Sequence, residues 1–172
     1  MGAPAKELLY ESGREARVRL LTWGGALLLG LTAWAGWWVY GNLVVGDGGG
    51  QPAPPGARLL AGAAIAALGA LPLAGMLVYR RYYVVRLLHD KGGERLEVET
   101  LGLWGPRVRP VELARVGGAA YHRGKLDLPG QVAVDAPWHW VRVEGGRGLL
   151  LDGKGRFADN GLVRRILESA AG

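Results

Sequence analysis

Two stretches of the chain carry no charged residue, Leu20 to Gly46 and Leu59 to Tyr79. A helix needs about 20 apolar residues to cross the hydrocarbon core of a bilayer, and the core helices of soluble proteins rarely run so far without a polar face. Each stretch therefore predicts one membrane span. The first is far longer than the apolar core of a cleavable signal peptide, so it is expected to remain in the protein.

From Tyr82 the pattern changes to alternation. Tyr82 to Leu88 and Arg95 to Leu101 predict a β-hairpin turning at Asp90-Lys91-Gly92-Gly93, with Leu96, Val98 and Thr100 on one face and Arg95, Glu97 and Glu99 on the other. Arg107 to Val116 is interrupted by Pro110, which predicts an edge strand or a bulge. Gln131 to Val134, Trp138 to Val143 and Gly148 to Leu151 predict further short strands. Asp159 or Asn160 then caps a final helix carrying Leu162, Val163, Ile166 and Leu167 on one side and Arg164 and Arg165 on the other. The expected fold is a membrane α-helical hairpin of two transmembrane helices plus a small α+β domain, an antiparallel sheet with a C-terminal helix. Its order resembles small pleckstrin-homology-like modules. The expected organisation is an N-terminal segment 1–19, spans 20–45 and 59–79 joined by a Gly/Pro-rich loop 46–58, and the domain 80–172.

Charge sets the expected orientation. Arg14, Arg17 and Arg19 precede the first span and Arg80, Arg81 and Arg86 follow the second, while the loop holds only Asp47 and Arg58. Lys and Arg beside span ends stay on the cytoplasmic or matrix side, so both termini are expected there. Aromatic rings favour the headgroup level, and Trp34, Trp37, Trp38 and Tyr40 at one end, with Tyr79, Arg80, Arg81, Tyr82 and Tyr83 at the other, are the expected interface residues. The tryptophan cluster is alternatively a quinone or cofactor site.

Small residues let helices approach closely in lipid. Gly62, Ala66, Ala70 and Ala74 recur every four residues in the second span, and Ala26 and Gly30 match that spacing in the first. This face packs either within the hairpin or against another protein's helix. Pro72 is expected to kink the second span.

Candidate chemistry is sparse. The chain has no cysteine, which excludes disulfides and thiolate sites, and its three histidines, His89, His122 and His139, lack metal-ligand spacing. Ser12 and Ser169 are the only serines, both near a terminus. No ionisable residue lies inside either span, which argues against a proton relay, ion channel or charge-coupled transporter. The net charge of +6 is diluted by interspersed acids, and Trp138 and Trp140 lack the basic groove of a single-strand nucleic-acid binder. No catalytic residue, metal site, cofactor or small-molecule substrate is expected.

Three further segments carry a family likeness: Leu9-Tyr10-Glu11 with Arg14, Tyr121-His122-Arg123-Gly124, and Leu149-Leu150-Leu151-Asp152 followed by Gly155 and Phe157. With the two spans, they resemble the mitochondrial two-pass inner-membrane family of transmembrane protein 223, related to transmembrane proteins 70 and 186. The resemblance implies an inner-membrane hairpin with both termini in the matrix. It also implies a non-enzymatic assembly factor for respiratory complexes, with cytochrome c oxidase biogenesis foremost and the mitochondrial ribosome among its contacts. No Arg- and Ser-rich transit peptide precedes the first span, so the import signal is expected to be internal or already removed. Expected partners are membrane lipids and respiratory-complex subunits or other inner-membrane proteins. A permanent accessory subunit and a bacterial inner-membrane lipid-binding module are the competing expectations.

Overall fold

The fold is that of a computed structural model and is described for residues 6–45, 50–91, 93–126 and 134–168. The chain divides into two compact units: Ala16–Val78, and Met1–Glu15 joined with Tyr79–Gly172.

The first unit is built on two long helices, α1 (Glu15–Asn42) and α2 (Pro55–Tyr82), each of 28 residues. At 1.5 Å per residue each measures about 42 Å, more than the roughly 30 Å of a bilayer core. Both are long and apolar enough to cross a membrane, and little of either is buried within the protein. α2 continues through Pro72. Between the helices, β2 (Val44–Val45) pairs with β3 (Gln51–Pro52), so part of the expected loop is a short ladder. Gly46 to Gly49 of that loop lie outside the described residues.

The helices cross at glycines. A Cβ on Gly36 would stand 2.5 Å from the Gly62 carbonyl oxygen, and one on Gly62 would stand 2.8 Å from that of Gly36. One on Gly69 would meet the Leu29 Cα at 2.6 Å, and one on Gly25 would reach the Leu73 Cα at 3.4 Å. One row of covered positions runs along α1 at Val18, Thr22, Gly25, Leu29, Thr32, Gly36 and Val39 and along α2 at Gly62, Ala66, Gly69, Leu73 and Met76, with Ala26, Ala35, Arg58, Ala61, Ile65, Ala67 and Leu77 half-buried beside it. Steps of three and four alternate, the 3.5-residue period of a left-handed helix pair.

Among its described residues the second unit contains ten strands, a 3₁₀ turn (Leu113–Arg115) and one helix, α3 (Gly161–Glu168). Its strands are β1 (Lys6–Glu11), β4 (Val84–Asp90), β5 (Arg95–Leu101), β6 (Pro106–Glu112), β7 (Val116–His122), β8 (Lys125–Leu126), β9 (Val134–Asp135), β10 (Trp138–Val143), β11 (Leu149–Asp152) and β12 (Arg156–Phe157). A five-stranded antiparallel sheet runs β12-β1-β4-β5-β6, a three-stranded one runs β11-β10-β7, and β8 pairs with β9.

The alternation in β5 buries Leu96, Val98 and Thr100, as expected. Leu9 and Val84 from the first sheet, Val141 and Leu149 from the second, and Val163 and Ile166 from α3 close one apolar core. Burying each such side chain contributes about 1.5–3 kcal/mol. Asn160 caps α3, its Oδ1 accepting from the Val163 N–H at 2.9 Å. Pro110 sits in β6, the outermost strand of its sheet, where a missing N–H costs no ladder bond.

Two expectations change. Single-sheet architecture gives way to two sheets sharing a core, because β7 leaves β6 through the 3₁₀ turn and pairs with β10 instead. The N-terminal segment is no separate piece either: β1 lies between β12 and β4, pairing with both. The residues before α1 and after α2 are thus parts of one folded domain.

Candidate functional site

The most organised polar site of the second unit lies where β1, β11 and the end of α2 meet. Tyr10 is buried, and its hydroxyl accepts a 2.8 Å bond from the Asp152 backbone N–H. Its ring packs on Phe157 at 4.8 Å between centroids. Gly155 lies against the same ring, where a Cβ would fall 2.8 Å from the phenol Cζ, so only glycine fits.

The Asp152 carboxylate is also buried; one oxygen accepts from the Lys154 N–H at 2.9 Å, and the other pairs with Arg14 Nε at 3.3 Å. Ser12 is hydrogen-bonded to the Tyr83 hydroxyl, and its Oγ also accepts from the Arg14 N–H at 3.2 Å. Burial pushes the phenols of Tyr10 and Tyr83 above the ordinary tyrosine value.

A cavity of about 420 Å³ opens beside this network, lined by Arg14, Tyr79, Gly124, Ala136, Pro137, Trp138, Leu150 and Asp152. Its wall combines one ion pair with aromatic and apolar surface, suited to an amphipathic group. Around it gather all three segments that carried the family likeness. Tyr121 packs at a tilt against His139 with centroids 5.0 Å apart, His139 meets Phe157 edge-on at 5.8 Å, and Phe157 packs on Tyr10.

His139 is half-buried between those rings with an unpartnered Nδ1, and burial lowers its pKa below the ordinary value. His122 stacks on Trp138 at 4.1 Å. Among the described residues no group of acidic, His or Cys side chains is placed to hold a metal.

The expected interface residues divide. Trp34, Trp37 and Trp38 are more than half exposed along one end of α1, Tyr40 is exposed beside them, and Arg58 stands 5.5 Å over the Tyr40 ring. At the end of α2, Tyr79 and Arg81 are also exposed. Arg80 and Tyr83 are corrections: both are buried, because the domain folds over the last turn of α2 and β4 follows without a break. Arg80 donates a hydrogen bond to the Gly102 carbonyl, and Tyr83 bonds Ser12. Tyr82, half-buried, packs on Trp140 at 5.4 Å.

The expected packing face also divides. Gly62 and Ala66 lie on the covered side of α2 and Ala26 is half-buried, whereas Ala70, Ala74 and Gly30 are exposed. A spacing of four overshoots a turn by about 40° at each step, so the row leaves the crossing, and Gly69 and Leu73 take the contacts assigned to Ala70 and Ala74. On α1 the near positions are Gly25 and Gly36. An open apolar groove of about 460 Å³ flanks the Gly36–Gly62 crossing, lined also by Trp37, Tyr40, Leu59 and Ala66.

Ser12, Asp152 and Gly36 escaped the site reading of the sequence. The glycines alone left a signal there: Gly62 and Gly69 are one heptad apart, and Gly25 and Gly36 are a heptad plus a step of four apart. Ser169 lies outside the described residues. The chain matches no protein-family model and no curated protein.

Proposed function

We propose that the chain is a two-pass protein of the mitochondrial inner membrane, with both termini in the matrix, acting as a non-enzymatic assembly or scaffold factor for respiratory-chain complexes. The observation that carries the membrane reading is the outward surface of the helices. Leu20, Leu27, Trp34 and Trp37 on α1, with Leu60, Leu68 and Leu71 on α2, are each more than half exposed. Continuous apolar surface of this extent calls for lipid or an apolar partner rather than water.

The assembly reading rests on the family resemblance, supported by the gathering of its three segments at the Tyr10–Asp152 network. Cytochrome c oxidase biogenesis is the process that resemblance favours. The cavity beside Arg14 and Asp152 is the proposed docking place for a partner's side chains.

Affinity purification of the full chain from mitochondria tests this. Respiratory-complex subunits or mitoribosomal components are expected at less than one copy per mature complex, as for a transient factor. One copy per mature complex would identify a permanent subunit, and recovery of neither group would refute the proposal.

A further inference from the structure

The connection between β5 and β6 ends in a two-residue apolar tip. Leu103 is 55% exposed and Trp104 is 89% exposed, the highest value among the exposed large apolar residues. The tip is held at a defined place. Leu101 and Gly102 at its base are buried, Gly102 and Gly105 close the turn with a 2.9 Å backbone bond, and Arg80 hydrogen-bonds the Gly102 carbonyl. Arg80 belongs to the last turn of α2, so one buried hydrogen bond ties the tip to the end of that helix.

We propose that Leu103 and Trp104 insert into the lipid headgroup region beside the end of α2, forming a second membrane contact of the domain. This rests on the reading of α2 as a span, which sets its last turn at the bilayer surface. A tryptophan is the side chain best suited to that level, with an apolar body and an N–H for the wet side. Exposed Arg81 and Arg107 stand in sequence beside the helix end and the tip, where cations meet lipid phosphates.

Lipid fits the tip better than a protein partner does. Even a large aromatic side chain buries only about 150–250 Å², and two apolar residues fall well short of the roughly 800 Å² per partner of a stable interface.

The absence of cysteine makes the test direct. Trp104→Cys, Lys91→Cys and Leu68→Cys are each labelled with bimane in the full chain and reconstituted into phosphatidylcholine–cardiolipin vesicles. Quenching is read with shallow and deep spin-labelled lipids and with aqueous iodide. Position 68 in mid α2 reports the span, and position 91, at the other end of β5, reports the water-facing domain. Position 104 is expected to be quenched several-fold more by shallow spin label than position 91 is, and to be shielded from iodide.

If 68 is quenched by deep label while 104 behaves like 91, the tip proposal is overturned and the span stands. If 68 is not quenched by lipid, the span reading fails and the tip proposal with it. Shielding of 104 from iodide without lipid quenching would assign the tip to a protein contact and overturn the lipid reading.

Discussion

Adding a single methyl group at Gly36 probes the helix crossing. The Cβ of Gly36→Ala would stand 2.5 Å from the Gly62 carbonyl oxygen, where ordinary van der Waals contact begins at 3.4 Å. The obstacle is backbone rather than the end of a flexible side chain, so relief requires the helices to part by about 0.9 Å. A gap of about 0.5–1 Å already forfeits a quarter to a half of each contact's attraction, and overpacking of this kind costs about 1–3 kcal/mol.

Alanine opposes this with a helix-propensity gain of at most about 1 kcal/mol over glycine in water. Gly30→Ala isolates that gain, because nothing lies within 4 Å of its new methyl group. Gly36→Ala is therefore expected to lower hairpin stability by about 1–2 kcal/mol, roughly a tenfold change in the folded-to-unfolded ratio, while Gly30→Ala leaves it equal or higher. Steric trapping of the reconstituted protein, with one tag on each helix, reads that equilibrium. If the two variants are equally stable, the glycine crossing does not hold the hairpin together.

Three further outcomes are expected. Arg14→Met removes the cation from a carboxylate that is only 8% exposed, whereas Lys6→Met breaks a pair whose cation is 45% exposed. Denaturation in micelles should show a loss of about 1–3 kcal/mol for the first and under about 1 kcal/mol for the second; the reverse order would refute the buried network. Tyr10 and Tyr83 ionise above the ordinary value of 10.0 when folded, because they are buried. The unfolded chain thus loses those protons first, and stability present below about pH 10 falls as pH rises towards the folded values. Tyr10→Phe with Tyr83→Phe should flatten that alkaline slope, measured against the less stable baseline left by the lost hydrogen bonds. Finally, a protease confined to the side opposite the termini should cut only within residues 46–56, and cleavage after Arg123 from that side would overturn the topology.

Some elements were legible because one local rule governs them. The two long helices follow from uncharged apolar runs, β5 from strict alternation, and α3 from an Asn cap before a helical apolar face. β1 is different: its register with β4 shifts between Leu8 and Tyr10, so Leu9 and Tyr10 are buried side by side and alternation fails there. β7, VGGAAYH, has too few large apolar residues to show a period and is made a strand by β10. The packing row meets the crossing at Gly62 and leaves it by Ala70, since the near positions follow 3.5 residues and not four. Arg80 and Tyr83 resemble a lipid-facing belt by composition, and only the fold of β4 and the β5–β6 turn over them decides otherwise. Ser12, Arg14 and Asp152 become neighbours through β1, whose placement no local pattern revealed.

The place of β1 ties completion of the sheet to the path of the two helices. Because it precedes α1, it must wait for both helices to emerge before β4 exists and for the other strands before β12 does. With both helices inserted across a bilayer, β1 is delivered to its neighbours. With one helix failing to insert, β1 would be stranded on the far side, leaving β4 with an open ladder edge and the core without Leu9 and Tyr10. Such an edge is a template for pairing with other strands. If both helices cross a bilayer, completing the five-stranded sheet requires both crossings, and a fragment starting at residue 82 would lack β1.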